Sequence, residues 1–179
     1  MDSTGLAILT VLGSGVAAAL VNFSLAWFRA RHERKVSVRY LALKISCALE
    51  EYAYECADAV TDHDTAMSSG GAIGSTVGKV LDLAELPQHS HIEHLDVKLL
   101  HEALEFPIRI KIANGEANFT FDVSDFEDAS NLAARRTGEI GADALRLADR
   151  FRKKYRLPIR RLMFNDYDVR RILDVPLKS

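Results

Sequence analysis

His89, His91 and His94 stand in H-x-H-x-x-H spacing, with Glu93, Asp96, His101 and Glu102 close behind. Imidazoles and carboxylates are ligand types that zinc and other transition metals accept. His94 and His101 lie seven residues apart, one face of a helix, so His89, His91, His94 and His101 are the candidate metal ligands. Zinc-protease chemistry needs H-E-x-x-H, with the glutamate between two histidines four apart, and that motif is missing. Histidines exposed in a loop before a helix explain the cluster equally well, and no cofactor is assigned. Asp62-His63-Asp64 reads as a helix-terminating loop. No serine or cysteine can be paired with it as a nucleophile, so no catalytic residue is assigned.

The second candidate is cationic. Arg150, Arg152, Lys153, Lys154, Arg156, Arg160 and Arg161 place seven cations in twelve residues. Such a run grips anionic headgroups, each cation contributing about 1 kcal/mol near an anionic bilayer, or nucleic acid phosphates. Phe151, Tyr155 and Phe164 are interleaved at a spacing that fits a core stripe better than a base-stacking platform, which disfavours nucleic acid. A solvated face neutralised from within is the plainer reading. Residues 62–128 carry 13 acidic and 4 basic side chains, and residues 129–179 carry 6 acidic and 13 basic. Opposite charge on successive segments favours their packing together, although each exposed pair contributes only about 0–1 kcal/mol.

Cys47 and Cys56 are the only cysteines. On one helix, nine residues turn them to opposite sides about 13 Å apart along the axis, too far for a disulfide. Two unpaired thiols agree with a reducing compartment.

The elements that position these residues begin with an address. Gly5 to Phe28 is twenty-four residues without a charge, followed by Arg29, Arg31, Arg34 and Lys35. As a helix it reaches roughly 36 Å, enough to cross a hydrocarbon core of about 30 Å. A cleaved signal would want a basic start and a shorter apolar core. The cationic flank predicts a single pass through a bacterial inner membrane, residues 1–4 outside and everything after residue 28 cytoplasmic. Gly13, Gly15, Ala17 and Ala19 set small residues four apart twice, an anchor face that would support a homodimer in lipid.

After residue 28, a juxtamembrane amphipathic helix is expected over 29–61, with Val38, Leu41, Ile45, Leu49, Tyr52, Cys56 and Ala59 inward. A flexible Gly- and Ser-rich loop is expected over 62–79, without a phosphate-binding motif. Residues 80–179 form the remainder of a cytosolic helical domain packing on 36–61. A helix starting near His91 would bury Leu95, Leu99, Leu100, Ala103 and Leu104. Residues 107–123 are ambiguous. Alternation of Ile108, Ile110 and Ile112, the Asn114-Gly115 pair, then Phe119, Phe121 and Val123 describe a β-hairpin, whereas Leu104, Ile108, Ile112, Gly115 and Phe119 describe a helix. Ser124 and Glu127 stand in capping-box spacing before a long helix ended by Pro158. A last short helix is expected over 168–173.

With its basic juxtamembrane helix, Arg-rich late helix and Lys154-Tyr155-Arg156-Leu157-Pro158 ending, this layout resembles a group of uncharacterised bacterial proteins with an N-terminal membrane anchor. The resemblance implies a helix over Phe106 to Val123 and transfers no activity. The expectation is a mainly α fold, one membrane helix continuing into a cytosolic bundle, with an α+β hairpin at 107–123 as the alternative. The functional expectation is a non-enzymatic interaction or regulatory module with the lipid bilayer and an unknown protein as partners. A metal-dependent enzyme and an anionic lipid or nucleic acid binder are the alternatives.

Overall fold

A computed structural model describes residues 3–87 and 92–174, with side chains from residue 21 onward. The fold is mainly helical. Helix α1 spans Ser3–Ser68, a short 3-10 turn Ile92–His94, α2 Val97–Val123, α3 Phe126–Tyr155 and α4 Val169–Ile172. Strands β1 Met163–Phe164 and β2 Tyr167–Asp168 pair antiparallel around Asn165, which takes the left-handed conformation a tight turn requires. The chain divides into two units, Met1–Val38 and Arg39–Ser179.

In the first unit, side chains from Val21 to Val36 are exposed. Trp27 and Phe28 meet edge to face at 5.1 Å, and the Arg31 guanidinium lies 5.2 Å from the Trp27 ring. Among the described residues no helix is long and apolar enough to cross a membrane. The expected span 5–28 falls through residue 20 outside the described side chains, as do Gly13, Gly15, Ala17 and Ala19.

The second unit is a three-helix bundle. Its α1 portion buries Leu41, Ala42, Ile45, Leu49, Tyr52, Ala53, Cys56 and Ala57, at steps of one, three and four that keep to one stripe of a 3.6-residue period. Tyr52 stacks edge to face on Phe106 of α2, 5.9 Å between centroids. α3 crosses α1 closely at Gly141, where a Cβ would stand 2.5 Å from that of Cys56. Only glycine admits that approach.

The mainly α expectation holds over 107–123, where the helix forms and the alternative hairpin does not, while several element boundaries change. Pro107 lies inside α2 without ending it, and Asn114 serves the helix's neighbour. Its amide accepts from the Val80 N–H at 2.8 Å and donates to the Val80 carbonyl at 3.1 Å, as a strand partner would. The helix expected to stop at residue 61 continues to Ser68, because His63 and Ala66 are buried in the bundle. The segment beyond is tied down by Val77 and Val80, both buried, and by Tyr52, whose hydroxyl donates to the Leu81 carbonyl at 2.8 Å. α2 starts at Val97 and not near His91, because the Asp96 carboxylate caps the N–H groups of Lys98 and Leu99. Asp125, not Ser124, caps α3 by accepting from the Asp128 N–H, while Ser124 closes α2.

Candidate functional site

The histidine cluster is not assembled on one helix face. His94 closes the 3-10 turn beside Glu93, and His101 sits on α2 facing Glu105 at 3.2 Å, in an i,i+4 pair. His89 and His91 lie outside the described residues. Among the described residues, no three His, Cys, Asp or Glu side chains come together to hold a metal. His63 is instead a buried connector, not part of a loop. Its Nδ1 accepts from the Val77 N–H at 3.3 Å, which leaves Nε2–H to donate to Asn131 at 3.0 Å.

The basic run does not form one surface either. Arg152 is 5% exposed and forks onto Glu50, itself 1% exposed, with Nη2 donating at 2.7 Å. Arg150 forks onto Glu102, and Lys154 reaches Asp96 at 2.7 Å. The Arg150 hydrogen bonds hold the Glu102 carboxyl below its usual range, and Lys154 does the same for Asp96. Lys153, Arg156, Arg160 and Arg161 point outward, beside exposed Ile159, Met163 and Phe164. Phe151 is fully buried and Tyr155 half-buried, its hydroxyl accepting from the Asp96 N–H at 2.6 Å. Neither ring is available as a stacking platform.

These ion pairs belong to a ladder. Glu102, Arg109 and Glu116 recur every seven residues along α2, and face Arg150, Asp143 and Arg136 in antiparallel order on α3. The middle rung is reversed in sign. The acidic and basic segments therefore pack against each other, as their composition implies.

The ladder leaves the far side of α2 uncovered. Leu99, Ala103, Phe106, Ile110, Ala113 and Ala117 are buried, while Leu104, Ile108, Ile112, Phe119 and Val123 are 56–67% exposed. At 100° per residue the two sets lie on opposite sides of the helix. A helix apolar on both faces has one buried face and one without a partner within this bundle. The helical spacing of Leu104, Ile108, Ile112 and Phe119 was legible in the sequence, but Leu104, expected in the core, is exposed, because spacing identifies a stripe without saying where it points.

No known protein family, curated protein or solved structure matches this chain. The site is therefore read from its own chemistry. One further concavity, an open cleft of about 380 Å³, is bordered by Glu55, Asp58 and Asp62 of α1 and by Ser75–Val77. Its carboxylates are spread along the helix and share no focus.

Proposed function

We propose that this chain is a membrane-anchored helical docking module that works by binding and not by catalysis. Residues 5–28 hold it in a bacterial inner membrane with its bundle in the cytoplasm, and the outer face of α2 is its binding surface. The observation that carries this reading is the exposed row Leu104, Ile108, Ile112, Phe119 and Val123, opposite a face already used for packing. An apolar patch of that extent on a soluble bundle favours a partner over water. Anchoring would raise the effective concentration of any partner held at the same membrane.

A second reading has its own support. The Arg39 guanidinium donates to the Arg156 carbonyl at 3.2 Å, which ties the end of α3 to the start of the second unit. Lys153, Arg156, Arg160, Arg161 and exposed Phe164 would then contact anionic headgroups.

The test is a photo-reactive residue at Ile112 in the full chain in native membranes, followed by alkaline carbonate washing. A discrete cross-linked adduct in the pellet is the expected result. Release of the chain by carbonate, or a smear without an adduct, would overturn the reading. Flotation of the full chain with and without anionic lipid, compared between the natural chain and Arg160→Glu/Arg161→Glu, decides the second reading.

A further inference from the structure

The occupant of the outer α2 face can be deduced from the face itself. Leu104, Ile108, Ile112, Gly115, Phe119 and Val123 follow one another at steps of 4, 4, 3, 4 and 4. That order is the same in both directions. A two-fold interface must be complementary to itself, and a spacing that reads the same in both directions lets an antiparallel pair of identical helices set each position of the row opposite another. We propose that two copies of this chain dock α2 against α2, antiparallel, about a two-fold axis passing between Ala113 and Asn114. The inference rests on the reading of this face as a docking surface and names its partner.

In this register Leu104 meets the partner's Val123, Ile108 meets the partner's Phe119, and Ile112 meets the partner's Gly115. Each large residue of the central layer faces a gap. A Cβ at Gly115 would touch nothing within 4 Å, so the bundle's own packing does not require glycine there. Glycine weakens a helix interior relative to alanine, yet in the pair it opens the hole that Ile112 enters. Area agrees as well. The exposed row amounts to on the order of 600 Å², the upper range for a monomer's largest apolar patch. Two such faces would remove about 1,200 Å² from water, where specific interfaces begin. The bilayer fits less well, because exposed Glu105 and Asp122 border the row against a single exposed Lys111 and leave its rim net negative.

The experiment uses two differently tagged full-length chains, Ile108→Cys and Phe119→Cys, co-reconstituted in phosphatidylcholine vesicles and oxidised. The pairing predicts a mixed 108–119 disulfide and no 108–108 disulfide, since those two positions would stand about 16 Å apart along the axis, beyond disulfide reach. Gly115→Leu, whose Cβ would meet nothing within 4 Å in the monomer, should reduce the mixed link at least tenfold without lowering the melting temperature. Gly13→Leu/Gly15→Leu should leave the link intact, because the anchor face is separate. A dominant 108–108 link, no link at all, or a link indifferent to Gly115→Leu would overturn the proposal. An Ile112 photo-adduct of foreign mass without the 108–119 link would sink this pairing while sparing the docking module. A 108–119 link in a chain that carbonate releases would do the reverse.

Discussion

Arg109 of α2 faces Asp143 of α3 with its charge reversed relative to the rungs one heptad away, Glu102 with Arg150 and Glu116 with Arg136. The reversal acts on register more than on stability. A slip of seven residues would set Glu102 against Asp143 and Arg109 against Arg136, like charges in both cases. Exposed ion pairs contribute little individually, but two repulsive contacts penalise the wrong alignment. Arg109→Glu should lower stability by about 1 kcal/mol, and Arg109→Glu/Asp143→Arg should recover only part of it, because Asp143 also pairs with Arg146. Thermal melts of the single and double variants at low and high salt check this, with the difference shrinking in salt.

The Glu50–Arg152 pair is a different case, because it is buried. It joins α1 to the end of α3, and Arg152 also donates to the Pro158 carbonyl. Arg152→Met, leaving Glu50 with only the long Arg160 contact at 3.9 Å, should cost about 3 kcal/mol, whereas Glu50→Leu/Arg152→Met together should cost far less. Denaturant unfolding of the full chain in detergent measures both.

Asn114 fastens an irregular segment. Asn114→Ala strips both hydrogen bonds from the Val80 backbone, and Val80 is 0% exposed. The expected loss is about 1–3 kcal/mol. Limited proteolysis should show new cleavage within 75–87, and Asn114→Asp, which keeps the acceptor but not the donor, should fall between.

Cys56 makes the bundle sensitive to alkali. Burial pushes its thiol up to about 12 from an ordinary value near 9.0. The unfolded chain then loses this proton first, so stability is full below about pH 8.5 and declines as pH rises toward 12. Cys56→Ala should flatten that decline in melts between pH 8 and 11. The carboxyls of Glu102 and Glu116, held low by Arg150 and Arg136, act in the opposite direction. Their contribution is present above about pH 4.3 and is lost as pH falls below it.

Gly141 tests the closest helix contact. Its would-be Cβ lies 2.5 Å from Cys56 Cβ and 3.4 Å from Leu173. Gly141→Ala should destabilise by about 1–3 kcal/mol despite its better helix propensity, and Cys56→Gly should relieve much of that loss. The melting temperature of each variant decides it.

Much of the helical content was legible in the chain. The α1 stripe from Leu41 to Cys56 and the α3 stripe through Thr137, Ile140, Ala144, Leu147 and Phe151 repeat at helical steps over many turns, and the same residues are buried. Such repetition survives local ambiguity. Boundaries were less legible, because Asp125 and Ser124 are both good caps and only the geometry selects between them. The small β1–β2 pair has two residues per strand, too short for any alternation to be seen.

What the residues determined by themselves is therefore type and charge: helix over strand wherever the 3.6-residue rhythm is long, and acidic and basic segments able to neutralise each other. What only the tertiary structure decided is direction. α2 carries two apolar stripes of similar strength, so its own sequence leaves inward and outward equivalent. The α3 ladder on one flank and the Asn114–Val80 contact turn Leu99, Phe106 and Ile110 to the core and leave Ile108, Ile112 and Phe119 outside. Long-range neighbours break the tie, because burial depends on which partner arrives and not on spacing within one helix.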